Sequence, residues 1–408
     1  MTHQKSFALF LVLCLMGLIF AQAQFAQARP QASVPGTWQV EIVDGAPGDD
    51  NTPGLLRHPS LAIDNNGVLQ VAYSKGLEDN PSNPLVYARK EGASWITQTV
   101  EASGERPSLV LNNTQQPRLA FFDAADALIF RNLDIAGGFR QVITTVIGSP
   151  RATADLALDS GNKPHVGFTQ LTSGSSYTLA LATQDITNTW AIEPVMGNVR
   201  SIASLALDSA NQVHFSYEDA ASRTVNYATR TTTGWLTETV GNPDSPIQAI
   251  PNSIAVDTAN TPHIVYVSYV QQALIYAKRM NNIWVTETIA SANLDFSFVL
   301  DKTGNPHIAY IEPAMRKPMY AMRANNIWMT ATVSNDAAIY ISLALDPSNQ
   351  PAIAYTDFDS GDLKLARLAP PATPTPSPTS TRTRTPTPTR TPTPALNRFV
   401  YLPLARRP

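Results

Sequence analysis

Internal repetition constrains this chain more than any other feature. The segments SLAIDNNGVLQVAY, SLVLNNTQQPRLAF, DLALDSGNKPHVGF, SLALDSANQVHFSY, SIAVDTANTPHIVY, SFVLDKTGNPHIAY and SLALDPSNQPAIAY are seven copies of one motif. Each has an acid or amide at the same place: Asp64, Asn112, Asp159, Asp208, Asp257, Asp301 and Asp346. These markers are 48, 47, 49, 49, 44 and 45 residues apart. A repeat of this kind is one supersecondary unit that buries its apolar face only against its neighbours, so the copies must stack.

The pattern inside each unit has period two. In strand A, Leu alternates with small Ser or Ala, as an inner strand between crowded neighbours requires. The marker begins a short turn, where an Asx side chain accepts backbone amides, and strand B follows. Strand C reads LVYAR, VNYAT, LIYAK or PMYAM, and strand D reads WITQTV, WLTETV, WVTETI or WMTATV. β-Branched and aromatic residues at alternating places support all four strands. An aromatic residue stands nine places after every marker, Tyr73, Phe121, Phe168, Tyr217, Tyr266, Tyr310 and Tyr355, which reads as core packing. Four strands in about 47 residues make a propeller blade. The last unit ends at LKLARL (363–368) without a strand D, and WQVEIV (38–43) precedes the first unit without strands A to C. Joining them predicts an all-β, seven-bladed β-propeller of four-stranded blades over residues 29–369, its ring closed by the N-terminal strand.

The unit S-L-A-L-D-x-x-x-x-P-H-I-x-Y, then L-x-Y-A and W-x-x-E-T-V, resembles a repeat of secreted and surface bacterial proteins grouped with sialidase-like, BNR-type β-propellers. It differs from the Asp-box S-x-D-x-G-x-T-W, since here the marker stands four residues after Ser and no Trp closes the turn. The resemblance implies the propeller fold. It also implies a face on which sialidase-like enzymes hold an acidic sugar with clustered arginines, and RHP at 57–59 is similar to their Arg-x-Pro start.

The two ends have other compositions. Residues 1–28 run from a polar start with Lys5 through an apolar stretch, Phe7 to Phe20, into AQAQFAQA. That is the pattern of a secretory signal peptide cleaved after Ala23 or Ala28. It contains the only cysteine, Cys14, so the mature chain has no disulfide and depends on packing for stability. Of 32 prolines, 11 fall in residues 370–408. The Thr/Pro-rich stretch 370–395 offers nothing apolar to bury and reads as a disordered stalk, reaching about 80 Å as polyproline II. A short apolar and basic tail, 396–408, follows; FVYLPL is too short to cross a bilayer. Stalk and tail together resemble those of secreted proteins of some bacteria, which implies retention at the cell surface through an envelope polymer or sorting machinery. Residues 29–369 carry 22 basic and 32 acidic residues, a net charge of −10, so nucleic acid is excluded as a partner.

Four histidines, His165, His214, His263 and His307, stand six residues after their markers. Equivalent places in different blades do not meet one ion at ~2.0 to 2.1 Å, so they read as structural, and no metal or other cofactor is expected. Arg57, Arg106, Arg151 and Arg200 each precede an inner strand on the D-to-A connections. D-to-A and B-to-C loops share one face of a propeller, so these arginines are expected to rim the channel mouth, a placement suited to gripping a carboxylate. Asp123 and Asp219, like Glu312 and Asp357, follow strand B on that face and either join a ligand site or pair with the arginines. The connection from Trp38 to Asp64 and the loop KGLEDNPSNP (75–84) are the long ones, and long loops on a rigid scaffold are where binding resides.

No unit bears an evident nucleophile and base. The leading expectation is a secreted, monomeric, non-catalytic surface module that binds a glycan or an exposed protein. The alternatives are a sialidase-like glycoside hydrolase or polysaccharide lyase acting on acidic sugars, and a structural envelope protein. The ligand itself is not legible.

Overall fold

A computed structural model describes residues 32–45, 55–76, 83–133, 139–145, 154–173, 176–241, 251–292 and 295–369. The expected signal peptide, the stalk and tail, Arg151 and most of both long loops lie outside the described residues. Every regular element among them is a β-strand.

The strands pair as the repeat dictates. In the first repeat Leu55–Ile63, Leu69–Gly76, Leu85–Glu91 and Ser94–Glu101 form an antiparallel meander in chain order. The second (Glu105–Leu111 to Arg140–Thr144) and the fifth (Asn252–Val256 to Ile283–Ser291) repeat this arrangement. One continuous strand, Trp190–Leu207, is outermost for the third repeat and innermost for the fourth, so their sheets merge into one of seven strands. The sixth repeat gains a fifth strand, Ala32–Ser33, parallel to Ile327–Thr332. The last, Ala338–Leu345, Pro351–Asp357 and Leu363–Ala369, takes its fourth strand from Thr37–Asp44, with Thr37 opposite Ala369 and Trp38 opposite Leu368. The N-terminal WQVEIV segment is therefore the outer strand of the last sheet. Serial four-stranded antiparallel sheets are the construction of a β-propeller.

The repeat residues hold each unit and join it to the next. Every marker side chain accepts the amides two and four residues on, as Asp64 does from Asn66 (2.8 Å) and Val68 (2.9 Å). The aromatic residue nine places on is buried in all seven repeats. The serine of strand A has a task beyond its small size. Its hydroxyl accepts the inner-strand amide of the following repeat: Ser60 from Leu109 (2.9 Å), Ser108 from Leu156 (3.0 Å), Ser204 from Ile254 (3.4 Å) and Ser297 from Leu343 (3.0 Å). Asp155 replaces the serine in the third repeat and accepts from Leu205 (2.9 Å), and Ser342 of the last repeat accepts from Leu61 of the first (3.0 Å).

Two more ladders run between repeats. In the A-to-B turns the amide after the marker donates to the side chain three places past the next marker, as Asn113 does to Asn162 and Ser160 to Asn211. These asparagines have φ of 64° and 61°, the left-handed region that Asn tolerates. On the outer strands, Trp and Glu three residues apart face opposite ways. Glu238 thus accepts Arg279 and the Trp284 indole (3.0 Å) of the next repeat, while the Trp284 ring packs edge-on against Tyr227 of the preceding one. Glu287, Arg323, Trp328 and Tyr276 repeat this arrangement.

The four histidines are built into the units. Nε2 of His263 lies 3.1 Å from Asp257, and its Nδ1 lies 2.6 Å from the Tyr276 hydroxyl. His214 and His307 face Tyr227 and Tyr320 in the same way, and His165 faces Thr183. Burial holds all four below the usual histidine range, against the pull of their aspartates, and brings His263 down to about 4. A histidine kept neutral by folding is protonated first in the unfolded chain. Stability is therefore full above pH 6.5 and falls as pH drops from there toward 4, by about 3 kcal/mol for His263 alone. Urea unfolding midpoints at pH 7.5 and 4.5 test this, and His263→Gln should flatten the difference. A second expectation concerns the N-terminal strand. Deleting residues 32–44 opens the edge of Leu363–Ala369 and should lower stability by several kcal/mol or cause aggregation, measured by calorimetry.

Candidate functional site

The inner strands do not start smoothly. Pairing with strand B slips between Arg57 and Ser60, between Glu105 and Ser108, between Val199 and Ala203, and between Ile339 and Ile341. A bulge of this kind turns a side chain away from the regular alternation. The residue six places before the marker falls in each of these bulges: His58, Arg106, Ile202 and Tyr340. Three of them have left-handed backbone, with φ of 49° at His58, 52° at Arg106 and 52° at Tyr340. Left-handed backbone costs a side-chain-bearing residue about 1–2 kcal/mol. In the sixth repeat the same position is Asp295, immediately before the strand Phe296–Leu300.

These side chains meet. The His58 and Tyr340 rings lie 4.1 Å apart between the first and last repeats. The Asp295 carboxylate accepts the amides of Phe296 (3.0 Å) and Ile341 (3.1 Å), the latter next to Tyr340. Arg106, from the second repeat, acts electrostatically on both His58 and Asp295. Four repeats thus contribute one residue each to a single cluster at the starts of the inner strands. Asp295 is open to solvent yet walled by protein, the situation of a group lining a mouth or channel. That enclosure pushes its carboxyl up to about 6, opposed by the two amides and by Arg106. Enclosure likewise holds His58 well below its usual range, reinforced by Arg106 and then Arg57, so its imidazole is neutral at neutral pH. Deeper along an inner strand, enclosure also raises the carboxyl of Asp155, which accepts from Leu205 and the Ser204 hydroxyl.

Of the four arginines singled out in the sequence, two reach this cluster. Arg57 is buried in Leu55–Ile63 and acts on His58, as Arg106 does. Arg200 lies in the continuous strand Trp190–Leu207, and Arg151 is outside the described residues. The four stand seven, six, eight and eight residues before their markers, so only Arg151 and Arg200 are equivalent positions. The acids after strand B close their own loops. Asp123 accepts Ala125 and Ala127 amides and pairs with Arg140 (3.0 Å); Asp219 accepts Ala221 and Ser222 amides. Glu312 accepts Ala314 and Met315 amides, and Asp357 binds Lys364. Sequence reasoning missed His58, Asp295 and Tyr340. Their signal was a shared offset of six from the marker, visible only once the copies are aligned upstream of strand A.

Two tyrosine–carboxylate pairs lie elsewhere: Tyr73 donates to Asp44 (2.7 Å), and Tyr355 to Asp336 (2.6 Å). Lys75 and Lys364 hold the same carboxylates. Burial first, then the carboxylate, drives both phenols far above the ordinary tyrosine range. Among the described residues no group of three or more His, Cys, Asp or Glu converges on a metal position.

Several solved structures are similar to this chain, and those with a TM-score of 0.50 or more share its fold. AofleA from Arthrobotrys oligospora is 15% identical over 73% of this chain and 90% of its own, with a TM-score of 0.52. The Aleuria aurantia lectin, solved with Fucα1-6GlcNAc, is 12% identical over 69% of this chain and 97% of its own, with a TM-score of 0.50. The leech intramolecular trans-sialidase, solved with 2,7-anhydro-Neu5Ac, is 11% identical over 83% of this chain and 70% of its own, with a TM-score of 0.46. No protein-family model matches the sequence, and no curated protein matches it.

The left-handed backbone at the start of the second inner strand is open to a direct test of strain. Arg106→Gly relieves the left-handed backbone and should leave stability unchanged or raise it by up to about 1 kcal/mol. A chemical denaturation series in which it lost more than 1 kcal/mol would mark Arg106 as a structural residue.

Proposed function

We propose that the chain is a seven-bladed β-propeller, closed by its N-terminal strand, that binds an acidic glycan non-catalytically at the mouth formed by His58, Arg106, Asp295 and Tyr340. The blade count is supported by the seven repeats and closure by two contacts: Thr37–Asp44 against Leu363–Ala369, and Leu61 bonded to Ser342.

The observation that carries the functional reading is the convergence of four chemically different residues at one repeat position, three of them in strained backbone. The tilted His58 and Tyr340 rings offer a surface to the apolar face of a sugar, Arg106 and Arg57 supply positive charge for a carboxylate, and Asp295 accepts hydroxyls. Regular packing needs none of these, and strain retained against the pattern of the repeat is a mark of function. Glycan binding by a protein of the same fold, the Aleuria aurantia lectin, supports the ligand class. The non-catalytic role is supported by the two tyrosine–carboxylate pairs. Each phenol is held protonated and each carboxylate is tied to lysine, so neither is a ready nucleophile. On this reading residues 1–28 direct secretion, and the 370–395 stalk with the 396–408 tail displays the propeller at a bacterial cell surface.

The test is a glycan array with the purified protein, followed by titration calorimetry. Acidic saccharides should bind, and Arg106→Ala should weaken them about tenfold without unfolding the protein. Asp295 loses its proton through about pH 6, so its negative charge opposes an anionic ligand above that pH. Affinity should rise from pH 7 to 5 in the wild type and lose that dependence in Asp295→Asn. An array with no glycan bound, or release of a cleaved sugar, would overturn the reading.

A further inference from the structure

On the same face the residue twelve places past the marker varies from repeat to repeat, being Gly76, Leu171, Tyr269 and Pro313 in the first, third, fifth and sixth. After the acid that ends strand B, the second and fourth repeats carry Ala124 and Ala220, whereas the last carries Phe358, exposed to 46%. The ring is not on a loose loop. Asp357 donates its amide to Asp362 and its carboxylate accepts that of Asp359; Gly361 bonds back to Asp357, and the Phe358 amide bonds Ala337 at 2.7 Å.

The neighbouring repeat meets it from the side. Arg316 holds φ of 55°, and its guanidinium carbon lies 4.5 Å from the centre of the Phe358 ring. Its carbonyl accepts the Ala338 amide at 2.8 Å, while Glu312 fixes the turn through Ala314 and Met315. Met315, 65% exposed, stands beside it. A left-handed arginine, an outward phenyl ring and an outward methionine on fully bonded loops are together more than the single exposed hydrophobes of any surface. Both anchors, Ala337 and Ala338, lie within three residues of Tyr340 in the mouth cluster, which the chain spans in about 10 Å.

We propose that Phe358 and Arg316 form a second sugar subsite beside the mouth, so that the protein takes an anionic oligosaccharide of two or more rings. The proposal rests on the glycan reading above. Arg316 covers one face of the phenyl ring and sets its plane; the other face takes the C–H face of a pyranose. The guanidinium is exposed, with no hydrogen bond or ion pair of its own among the described residues, and its donors reach a hydroxyl or carboxylate of that ring. A two-point footprint of this kind discriminates by length, which a mouth alone does not.

The full chain and its Phe358→Ala and Arg316→Gly variants are titrated with uronate-terminated and sialate-terminated saccharides of one, two and four rings, thermal melts confirming that each variant is folded. The wild type should bind the longer members of at least one series ten times or more tighter than its monosaccharide. Phe358→Ala should erase that gain and leave monosaccharide affinity unchanged, with Arg316→Gly losing part of it. Equal binding of the longer saccharides by wild type and Phe358→Ala overturns the subsite while leaving the mouth site standing. Equal loss of long and short saccharides also overturns it, because Phe358 then only supports the mouth. Wild-type protein that binds none of the saccharides overturns the glycan reading, and the subsite with it.

Discussion

The hydrogen bond from an inner-strand amide to the serine hydroxyl of the preceding repeat is what the remaining structure depends on. An inner strand has a sheet partner on one side only, so its other edge presents amides that are costly to leave unpaired. A serine four residues before the marker supplies an acceptor without adding bulk where the sheets crowd together. Each such bond contributes about 1 kcal/mol, but its larger effect is geometric. It holds neighbouring inner strands in one register, and that register carries outward to the Glu–Arg–Trp contacts and downward to the linked A-to-B turns. The Lys90–Glu41 pair, between the first repeat and the N-terminal strand, is the same outer contact made by residues nearly 50 apart in sequence and on opposite ends of the repeat series.

Regularity of this order separates frame from face. Marker carboxylates spend their oxygens on turn amides, strand-B histidines face the markers and neighbouring hydroxyls, and Trp190, Trp284 and Trp328 donate to Gln141, Glu238 and Glu287, which leaves these groups little to offer a ligand. The starts of the inner strands are different. In four repeats a bulge there frees one residue from the alternation, and the chain uses the freedom unequally: apolar Ile202 in one, His58, Arg106 and Tyr340 in the others, with Asp295 at the same offset just ahead of its strand. The strain of three left-handed residues is small beside the packing and hydrogen bonding of the frame, which is why it can persist.

Titration in frame and face has one cause. Enclosure disfavours charge in both. In the frame it acts on histidines, which lose protons and gain nothing from acid. At the mouth it acts on Asp295, which keeps its proton to about pH 6 and so becomes neutral under conditions that strain the frame.

The sequence by itself determined the unit and its strands. Period-two patterning, the marker turn, the aromatic nine residues on and the Trp series are local or repeat-register properties, and a repeat displays its own register. It also pointed to the N-terminal strand as the partner of the last sheet, because one orphan strand matched one gap. The serine was legible as a small residue but not as an acceptor, since its partner amide lies in the next copy, some 47 residues away. The arginines were gathered by residue type, although Arg57 and Arg106 stand at offsets that differ from each other and from that of Arg151 and Arg200, and offset decides direction in a strand. Which of them meet, and that His58, Asp295 and Tyr340 meet Arg106, was decided by the tertiary structure. The bulges that aim His58, Arg106 and Tyr340, and the contacts that bring residues of the first, second, sixth and seventh repeats to one cluster, leave no mark on local sequence.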